Sequence, residues 1–446
     1  MVFLSVPRMV TSARVQSVVS VSLRCSSTCL QSVKNYHSAS KSPSRPRPVK
    51  AQFTGRASNW TQAVMEAEPL AQYEPTVIID NKHLLGENIT QITPNIRGLL
   101  NTEDSQLYEV SKYYFEQPGK YIRPLLVLLM SQATSLAPKT DSFKLHETYE
   151  IMDTKLTSNN SSWLKNRDDD FYRCIVNSEG CGILPTQRRL SEIVEMIHTS
   201  SLVHDDVVDD SPKRRGSSST NATFGNRSAV LAGDFILARS SIALARLRNP
   251  EVTELLAKVM EDLVDGEVKQ LKNTKQSDHE KPEMSTFEHY MEKTYLKTAS
   301  LIANSCKAAA ILGGSTAPIA ELAYSFGKDL GLAFQLVDDM LDYTTSADEF
   351  GKPVGADLKL GLATAPVLFA WEEFPELGQL IKRKFSDPGD IDMAYDLVWR
   401  SNGIEQTRKL AESYCQKAIN AVKQLPPSQA REAMIQLAHK VVTRTK

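Results

Sequence analysis

From about residue 80 onward, apolar residues recur every three or four positions, which is the spacing of one face of an α-helix. The clearest stretches are Ala229–Leu247, Pro250–Leu263, Tyr295–Leu312, Ala320–Leu341 and Ala363–Ala370. Alternating patterns typical of strands are scarce, and no glycine-rich phosphate loop follows a strand pattern. The sequence therefore predicts an all-α fold, with a single large helical bundle around a central cavity over residues 80–446.

One polar stretch interrupts the helical pattern. Residues 136–182 contain several Asn, Asp, Ser and Lys, and the helical spacing resumes near Leu184. We expect an inserted, mobile surface loop here. Its run Asp168–Asp170 is interpreted as solvated charge and not as a metal site, because nothing nearby supplies a fixed apolar face.

The beginning of the chain differs from the rest in charge. Residues 1–65 contain nine Lys and Arg and no Asp or Glu, which leaves 43 basic groups against all 53 acidic ones in the remainder. An acid-poor leader rich in Ser, Val and Arg is typical of a mitochondrial or plastid transit peptide. A secretory signal fits less well because three arginines interrupt its apolar core. We expect residues 1–50 to be a cleaved leader and residues 51–79 a linker.

Composition excludes several classes of protein. Hydrophobic residues make up 41% and charged residues 24% of the chain, which is a globular balance and not a disordered one. The acidic body lacks the positive excess of a general nucleic-acid binder. Beyond the leader, the longest wholly apolar run, Leu125–Met130, is far below the roughly 18–20 residues of a membrane helix. The six cysteines have neither metal-ligand nor disulfide spacing.

Two acidic motifs of the form Asp-Asp-x-x-Asp lie in apolar helical stretches. The first motif is Asp205, Asp206 and Asp209, and the second motif is Asp338, Asp339 and Asp342. Positions i and i+4 of a helix stand one above the other and i+1 lies about 100° away, so each motif is expected to project its carboxylates toward one region. Repulsion and burial disfavour such clusters unless a divalent cation offsets both.

Oxygen ligands alone favour Mg²⁺ or Mn²⁺ over zinc, and Mg²⁺ prefers a few carboxylates together with phosphate oxygens. The two motifs therefore predict an Asp-lined cavity that a diphosphate completes. One motif alone is more often a solvated helix face. Two motifs, 133 residues apart and both on apolar helices, indicate a site.

With these motifs the sequence resembles the trans-prenyltransferases, the polyprenyl diphosphate synthases of the class I isoprenoid fold. The resemblance runs from about Gly119 to beyond Pro366, interrupted by residues 136–182, and continues more weakly to the C-terminus. It implies about three Mg²⁺ ions per active site, with Mn²⁺ as an alternative, held by the six Asp residues. The catalytic residues that it implies are Asp205, Asp206, Asp209, Asp338, Asp339 and Lys297.

Basic and polar landmarks of the family follow in order, beginning with Gly119–Pro124, which resembles its Gly-Lys-x-x-Arg-Pro segment. The resemblance assigns the diphosphate of isopentenyl diphosphate to Lys120, Arg123, His198 and Arg215. It assigns the allylic diphosphate to Arg214, Lys297, Thr298, Gln335 and Lys352. The usual Gly-Lys after the second motif is Gly361-Leu362 here, which leaves the role of Lys359 open.

The predicted reaction is ionisation, condensation and elimination. The allylic C–O bond breaks, the isopentenyl double bond attacks the resulting cation, and a proton passes to the departed diphosphate. Ser200 and Ser201, one turn before Asp205, are small where an aromatic residue would close the cavity. By resemblance they predict a long product of about C30–C50. Behind a mitochondrial leader, such a chain is expected to become the ubiquinone tail.

The expected partners follow from the same resemblance. The allylic substrate is farnesyl or geranylgeranyl diphosphate, and no nucleic acid is involved. The active unit is a homodimer or a heteromer with a second synthase subunit. The expected location is the mitochondrial matrix, with peripheral contact to the inner membrane as an option.

Two other functions fit the sequence less well. A class I terpene cyclase usually has one such motif and lacks the Lys120 and Arg123 pair, because it does not bind isopentenyl diphosphate. A catalytically silent subunit usually loses Asp residues from the motifs, and this chain keeps all six. A subunit that needs a partner for activity and a short-chain geranylgeranyl synthase stay open as alternatives.

Overall fold

The structure is a computed structural model. It describes residues 64, 69–71, 75, 77–117, 119, 121–141, 182–214, 216–272, 284–344 and 355–444. The predicted leader 1–50, most of the linker 51–79 and most of the insert 136–182 lie outside the described residues, as does Asp168–Asp170.

The described residues are predominantly helical. In chain order the helices before the first motif are α1 Asn81–Leu85, α2 Glu87–Thr90, α3 Ile92–Leu99, α4 Ser105–Glu116 and α5 Ile122–Thr134. Those from the first to the second motif are α6 Pro185–Val208, α7 Thr220–Phe224, α8 Asn226–Arg246, α9 Pro250–Lys272, α10 Met284–Thr294, the π-helical turn Tyr295–Ala299, α11 Ser300–Leu312 and α12 Ala317–Thr344. The remainder are α13 Ala356–Lys359, α14 Ala365–Glu373, α15 Leu377–Lys382, α16 Asp390–Arg400, α17 Gly403–Val422 and α18 Gln429–Thr443.

The core is built around the longest of these helices, α12, which packs most extensively against α17 and α11. Its contact with the π-helical turn that precedes α11 is very close. A Cβ atom at Gly331 would lie only 2.7 Å from Cα of Ala299, so glycine is required there. This approach holds the second motif beside the turn Tyr295–Ala299.

The first motif is positioned by α6, which packs mainly against α8 and α5. Pro185 at its first turn suits the start of a helix. The Gln187 side chain accepts the N–H of Leu184 at 2.9 Å and caps that start. Leu190, Val194 and Ile197, spaced by four and three residues, are buried as the helical pattern predicts.

The all-α prediction is confirmed over the described residues, whose strands form a single two-stranded ribbon. Here β1, Lys213–Arg214, pairs antiparallel with β2, Ser217–Ser218. The start of the predicted insert is not separate from the bundle. The N–H of Thr140 donates to the carbonyl of Gly314 at 2.9 Å, so this part of the insert is fixed to the loop after α11.

Helix α8 is, by length and composition, apolar enough to cross a membrane, which the search for apolar runs did not predict. About 44% of its most apolar window is buried in the bundle. A core helix of a helical bundle passes the same test.

Candidate active site

The first motif lies at the C-terminal end of α6. Asp205 and Asp206 are in its last turn, and Asp209 follows as the C-cap, with its N–H donating to the carbonyl of Asp205 at 2.8 Å. The three side chains differ in exposure: Asp205 is half-buried, Asp206 is fully buried and Asp209 is exposed. The motif therefore does not present three equivalent carboxylates.

Asp206 points into the protein and bonds to Arg214. Nε and Nη2 of the arginine each lie 2.7 Å from Oδ1 of the aspartate. Asn221 donates to the backbone carbonyl of Asp206 at 3.1 Å. Because i+1 is rotated by about 100° from i, Asp206 faces the ribbon that carries Arg214 while Asp205 faces elsewhere.

Asp205 occupies the open side of the helix. Burial raises the pKa of its carboxyl to about 6, and the nearby carboxylates of Glu267 and Asp209 add to this. Lys297 and Arg214 act in the opposite direction and lower this pKa, without offsetting the effect of burial. Added positive charge beside Asp205 would therefore favour its ionised form.

The second motif lies inside α12, two residues before its end. Asp339 is 3% exposed and accepts from the Tyr290 hydroxyl at 2.5 Å and from the Gln335 amide at 2.8 Å. Burial raises the pKa of Asp339 to about 6, although both hydrogen bonds oppose the shift. Like Asp206, the middle carboxylate of this motif is committed to the protein.

The two outer carboxylates of the second motif also differ. Asp342 is buried and accepts the backbone N–H groups of Ala356 and Asp357 at 3.1 and 3.2 Å, at the start of α13. Asp338 has a side chain that is 34% exposed, and Oδ1 lies 2.5 Å from Nη2 of Arg444. Of these two, Asp338 is the one that faces an open region.

Arg444 follows the last helix, α18, and reaches back to α12. Its guanidinium lies 4.0 Å from the centre of the Phe334 ring, and Nη2 donates to the Phe334 carbonyl at 3.0 Å as well as to Asp338. A residue near the C-terminus thus contacts the second motif. Sequence analysis did not single it out.

The π-helical turn Tyr295–Ala299 connects the two motifs. Lys297 acts electrostatically on Asp205, and its Nζ lies 2.5 Å from Oε2 of Glu267. Thr298 donates to Oε1 of Gln335 at 2.8 Å, and Gln335 in turn donates to Asp339. Such turns are rare and occur frequently at functional sites, where the extra residue redirects side chains.

Two residues assigned to isopentenyl diphosphate lie together. Nη1 of Arg123, in the first turn of α5, is 2.8 Å from Nε2 of His198 on α6. Three further residues assigned to the substrate diphosphates lie outside the described residues: Lys120, Arg215 and Lys352. The structure thus brings two residues assigned to isopentenyl diphosphate, 75 positions apart in the chain, into contact.

The two serines assigned to product length have different environments. Ser200 is buried, and its hydroxyl donates to the carbonyl of Gly233 on α8 at 2.8 Å. Ser201 is half-buried and donates to the carbonyl of His198, within its own helix, at 2.8 Å. A larger residue at Ser200 would have to displace α8, whereas Ser201 has more freedom.

Sequence analysis missed several residues of this site. Glu267 holds Lys297, Tyr290 holds Asp339, and Arg444 holds Asp338. No local spacing marks these contacts, because the partners lie 30, 49 and 106 residues apart. Lys293 was also missed, although a local pattern marks it. The pair Lys293-Thr294 repeats the pair Lys297-Thr298 four residues earlier.

The fold and the sequence can be compared with known proteins. A family model described as polyprenyl synthetase matches residues 171–398, just over half of the chain. A probable mitochondrial hexaprenyl pyrophosphate synthase of Neurospora crassa is 52% identical over 372 residues, which cover 82% of each chain. The chain belongs to the polyprenyl synthetase family.

Other members of the polyprenyl synthetase family agree in length and fold. Decaprenyl-diphosphate synthase subunit 1 of Schizosaccharomyces pombe is 50% identical over 364 residues, covering 82% of this chain and 91% of that one. The crystal structure of a polyprenyl synthase from Caulobacter crescentus, complexed with calcium and isoprenyl diphosphate, aligns with a TM-score of 0.66 and 26% identity. The alignment covers 84% of this chain and 100% of that one.

Family membership confirms several predictions. The class I isoprenoid fold, the prenyltransferase activity and the long-chain polyprenyl diphosphate synthase class are as the sequence analysis expected. Relatives named as mitochondrial confirm the predicted mitochondrial location.

Proposed function

We propose that this synthase elongates farnesyl or geranylgeranyl diphosphate with isopentenyl diphosphate to an all-trans chain of about C30–C50 that becomes the ubiquinone tail. The observation that carries the proposal is the turn Tyr295–Ala299, in which Lys297 acts electrostatically on Asp205 while Thr298 is linked through Gln335 to Asp339. One structural element thus places a cation and a hydroxyl between two acidic motifs. A diphosphate that bridges the motifs would meet both.

The donor set supports divalent cations at the two motifs. The six motif side chains offer oxygen ligands alone, as Mg²⁺ and Mn²⁺ prefer. Among the described residues, no three His, Cys, Asp or Glu side chains lie close enough together to hold a metal on their own, so further ligands are needed. Oxygens of the bound diphosphate would supply further ligands. We assign metal binding chiefly to Asp205, Asp209 and Asp338.

The remaining motif carboxylates have a supporting role in this proposal. Asp206 orients Arg214, Asp339 is held by Tyr290 and Gln335, and Asp342 caps the start of α13. About three ions per site would supply positive charge to the departing diphosphate. The Caulobacter crescentus structure, complexed with calcium and isoprenyl diphosphate, supports this use of divalent ions.

The chain's own residues account for the remaining steps. Lys297 and Arg214 donate to the allylic diphosphate as negative charge develops on it. Arg123 and His198 hold isopentenyl diphosphate so that its double bond lies close to the allylic carbon, and this proximity lowers the barrier. The proton lost at the end passes to the departed diphosphate, so no protein base is required. The buried apolar helices exclude water, which would otherwise quench the cation.

The proposal is tested with the purified chain, Mg²⁺, farnesyl diphosphate and labelled isopentenyl diphosphate, by sizing the dephosphorylated products. We expect products of about C30–C50. Products that stop at C20 would indicate a geranylgeranyl synthase. Absence of elongation would mean that the isolated chain is not self-sufficient and needs a second subunit, as the name of the Schizosaccharomyces pombe relative suggests.

The active unit is proposed to be a dimer that forms on α8 and α9. Large apolar side chains are exposed on these two neighbouring helices: Val230, Leu231, Ile242, Val264 and Val268. Acidic residues, among them Asp234, Glu261 and Asp265, are exposed on the same helices. These carboxylates disfavour an anionic membrane surface, which attracts Lys and Arg, although Arg227 and Lys258 are exposed on the same helices. A second copy of the chain fits the apolar face better.

Charged substitutions at the centre of this face test the proposed interface. Leu231→Glu with Val264→Glu should convert the dimer to a monomer in light scattering, with helicity unchanged. Matched substitutions on the exposed side of α16, Met393→Glu with Trp399→Glu, should leave the mass unchanged. A monomeric wild type that dimerises only with a second synthase subunit would assign this face to a heteromer, and vesicle binding would assign it to a membrane.

A further inference from the structure

Lys293 is a buried lysine beside the second motif that the mechanism above does not use. It lies in the last turn of α10, immediately before the π-helical turn, and only 7% of it is exposed. With Thr294 it forms the first of two Lys-Thr pairs, of which Lys297-Thr298 is the second.

The ammonium group of Lys293 has no hydrogen-bond or ion-pair partner among the described residues. Its recorded neighbour is the face of the Tyr290 ring, whose centre is 5.7 Å from Nζ. Asp339, Asp357 and Glu267 act on it electrostatically and favour its charged form, whereas the neighbouring charge of Lys297 opposes them. Asp339 and Glu267 are each bonded to other side chains. Asp339 accepts from Tyr290 and Gln335, and Glu267 pairs with Lys297.

An unpaired ammonium in this position is unfavourable. Charged groups are almost never buried without a partner, because their removal from water is unfavourable unless an opposite charge or hydrogen bonds compensate for it. Burial accordingly lowers the pKa of Lys293. A cation that is kept buried, unpaired and adjacent to a substrate site is typical of a binding residue whose partner arrives with the ligand.

We propose that Lys293 binds an oxygen of the substrate diphosphate, beside Lys297. The proposal rests on the proposed function, since it takes the diphosphate to lie between the two motifs. The ring of Tyr290 lies against the ammonium on one side, and the hydroxyl of Tyr290 donates to Asp339. One tyrosine thus positions both a cation and a carboxylate of the site. The alternative role for Lys293 is that of a structural counter-ion for Asp339.

The two roles predict opposite effects on stability. If Lys293 binds the substrate diphosphate, Lys293→Met removes a charge that is unpaired in the ligand-free protein. The melting temperature of the ligand-free protein should then rise or stay unchanged. If Lys293 is a structural counter-ion, the same change should lower the melting temperature. In the proposed role, affinity for inorganic diphosphate with Mg²⁺, measured by calorimetry, should fall about 10- to 100-fold, as loss of a charge-assisted hydrogen bond implies.

Lys307→Met is the matched control. Its Nζ also lies over a tyrosine ring, 5.4 Å from the centre of Tyr324, but it is paired with Glu321 at 2.9 Å. We expect this variant to bind diphosphate like the wild type. Lys293→Arg, which keeps the charge, should recover part of the affinity that Lys293→Met loses, and it replaces Lys293→Met if the latter fails to fold.

Each result decides between the roles. Weakened diphosphate binding with an unchanged or raised melting temperature supports the proposal. Unchanged binding overturns it, and so does weakened binding with a lowered melting temperature. A wild type that binds no diphosphate and elongates no primer would contradict the proposed function itself. If the wild type elongates normally and Lys293→Met binds diphosphate equally well, the role proposed for Lys293 is wrong and the proposed function stands.

Discussion

The two acidic motifs share one five-residue pattern but occupy different surroundings. The first motif lies where α6 ends, so Asp209 is exposed and follows the last turn. The second motif lies inside α12, so its third carboxylate, Asp342, is buried and caps the start of another helix. In both motifs the middle residue is buried, but Asp206 faces a charged arginine whereas Asp339 faces a neutral hydroxyl and an amide.

The difference teaches that identical patterns need not supply identical ligands. Helix geometry turns position i+1 away from i and i+4, and a bundle encloses whatever points inward. In the first motif Asp205 is half-buried and Asp209 is exposed, and we propose that these two carboxylates bind the metal ions. In the second motif Asp338 is the most exposed of the three carboxylates and contacts Arg444, and we propose that it is the main metal ligand there.

The largest effect is expected from removing an outer carboxylate of either motif. Asp205→Ala and Asp338→Ala should each lower the elongation rate by about 10³-fold or more, because charge on the departing diphosphate would lose its compensation. Melting temperatures should stay close to that of the wild type. Retention of full activity by either variant would remove that residue from the metal site.

Substitutions of the middle residues of the two motifs are predicted to differ in their effect on the free energy of unfolding. Asp206→Asn leaves Arg214 without its ion partner and should lower the free energy of unfolding by about 3–5 kcal/mol. Asp339→Asn keeps an oxygen that can accept from Tyr290, and it should cost only about 1 kcal/mol. Denaturant unfolding of the two variants checks this order, and equal losses would mean that the charged and neutral partners are equivalent.

This contrast also marks how far the sequence could predict the site. Positions i, i+1 and i+4 are local, so the helices and both motifs followed from the pattern. The partners that distinguish the motifs come from distant elements. Tyr290 and Arg444 lie 49 and 106 residues from the Asp residues that they contact, and only tertiary packing brings them there. The π-helical turn is likewise invisible to a pattern of period 3.6.

A smaller effect is expected at Arg444. Its guanidinium and a metal ion compete for Oδ1 of Asp338, so Arg444→Ala should bind Mn²⁺ in the presence of inorganic diphosphate about two- to fivefold more tightly. Isothermal calorimetry measures this change. The variant Arg400→Ala, which removes an exposed ion pair with Asp396, serves as a control. Weaker metal binding by Arg444→Ala would mean that Arg444 supports the loaded site.

The smallest effect is a dependence on pH. Burial raises the pKa of Asp205 to about 6, above its ordinary value of 3.8. The folded protein therefore holds this proton more tightly than the unfolded chain, so stability is lost as pH rises from about 4 to 6. Without metal, the melting temperature should rise slightly when pH falls from 7 to 5, and the gain should shrink in Asp205→Asn. The Mg²⁺ concentration needed for half-maximal activity should increase as pH falls from 7 to 5, because protonated Asp205 binds metal less well.

The most direct test of the account is a crystal structure with Mn²⁺ and a non-hydrolysable allylic diphosphate, in which anomalous scattering locates each metal ion. We expect metal on the carboxylates of Asp205, Asp209 and Asp338, with Asp206 and Asp339 still bonded to Arg214 and Tyr290. Metal coordinated by Asp206 or Asp339, or a diphosphate bound away from Lys297, would contradict it.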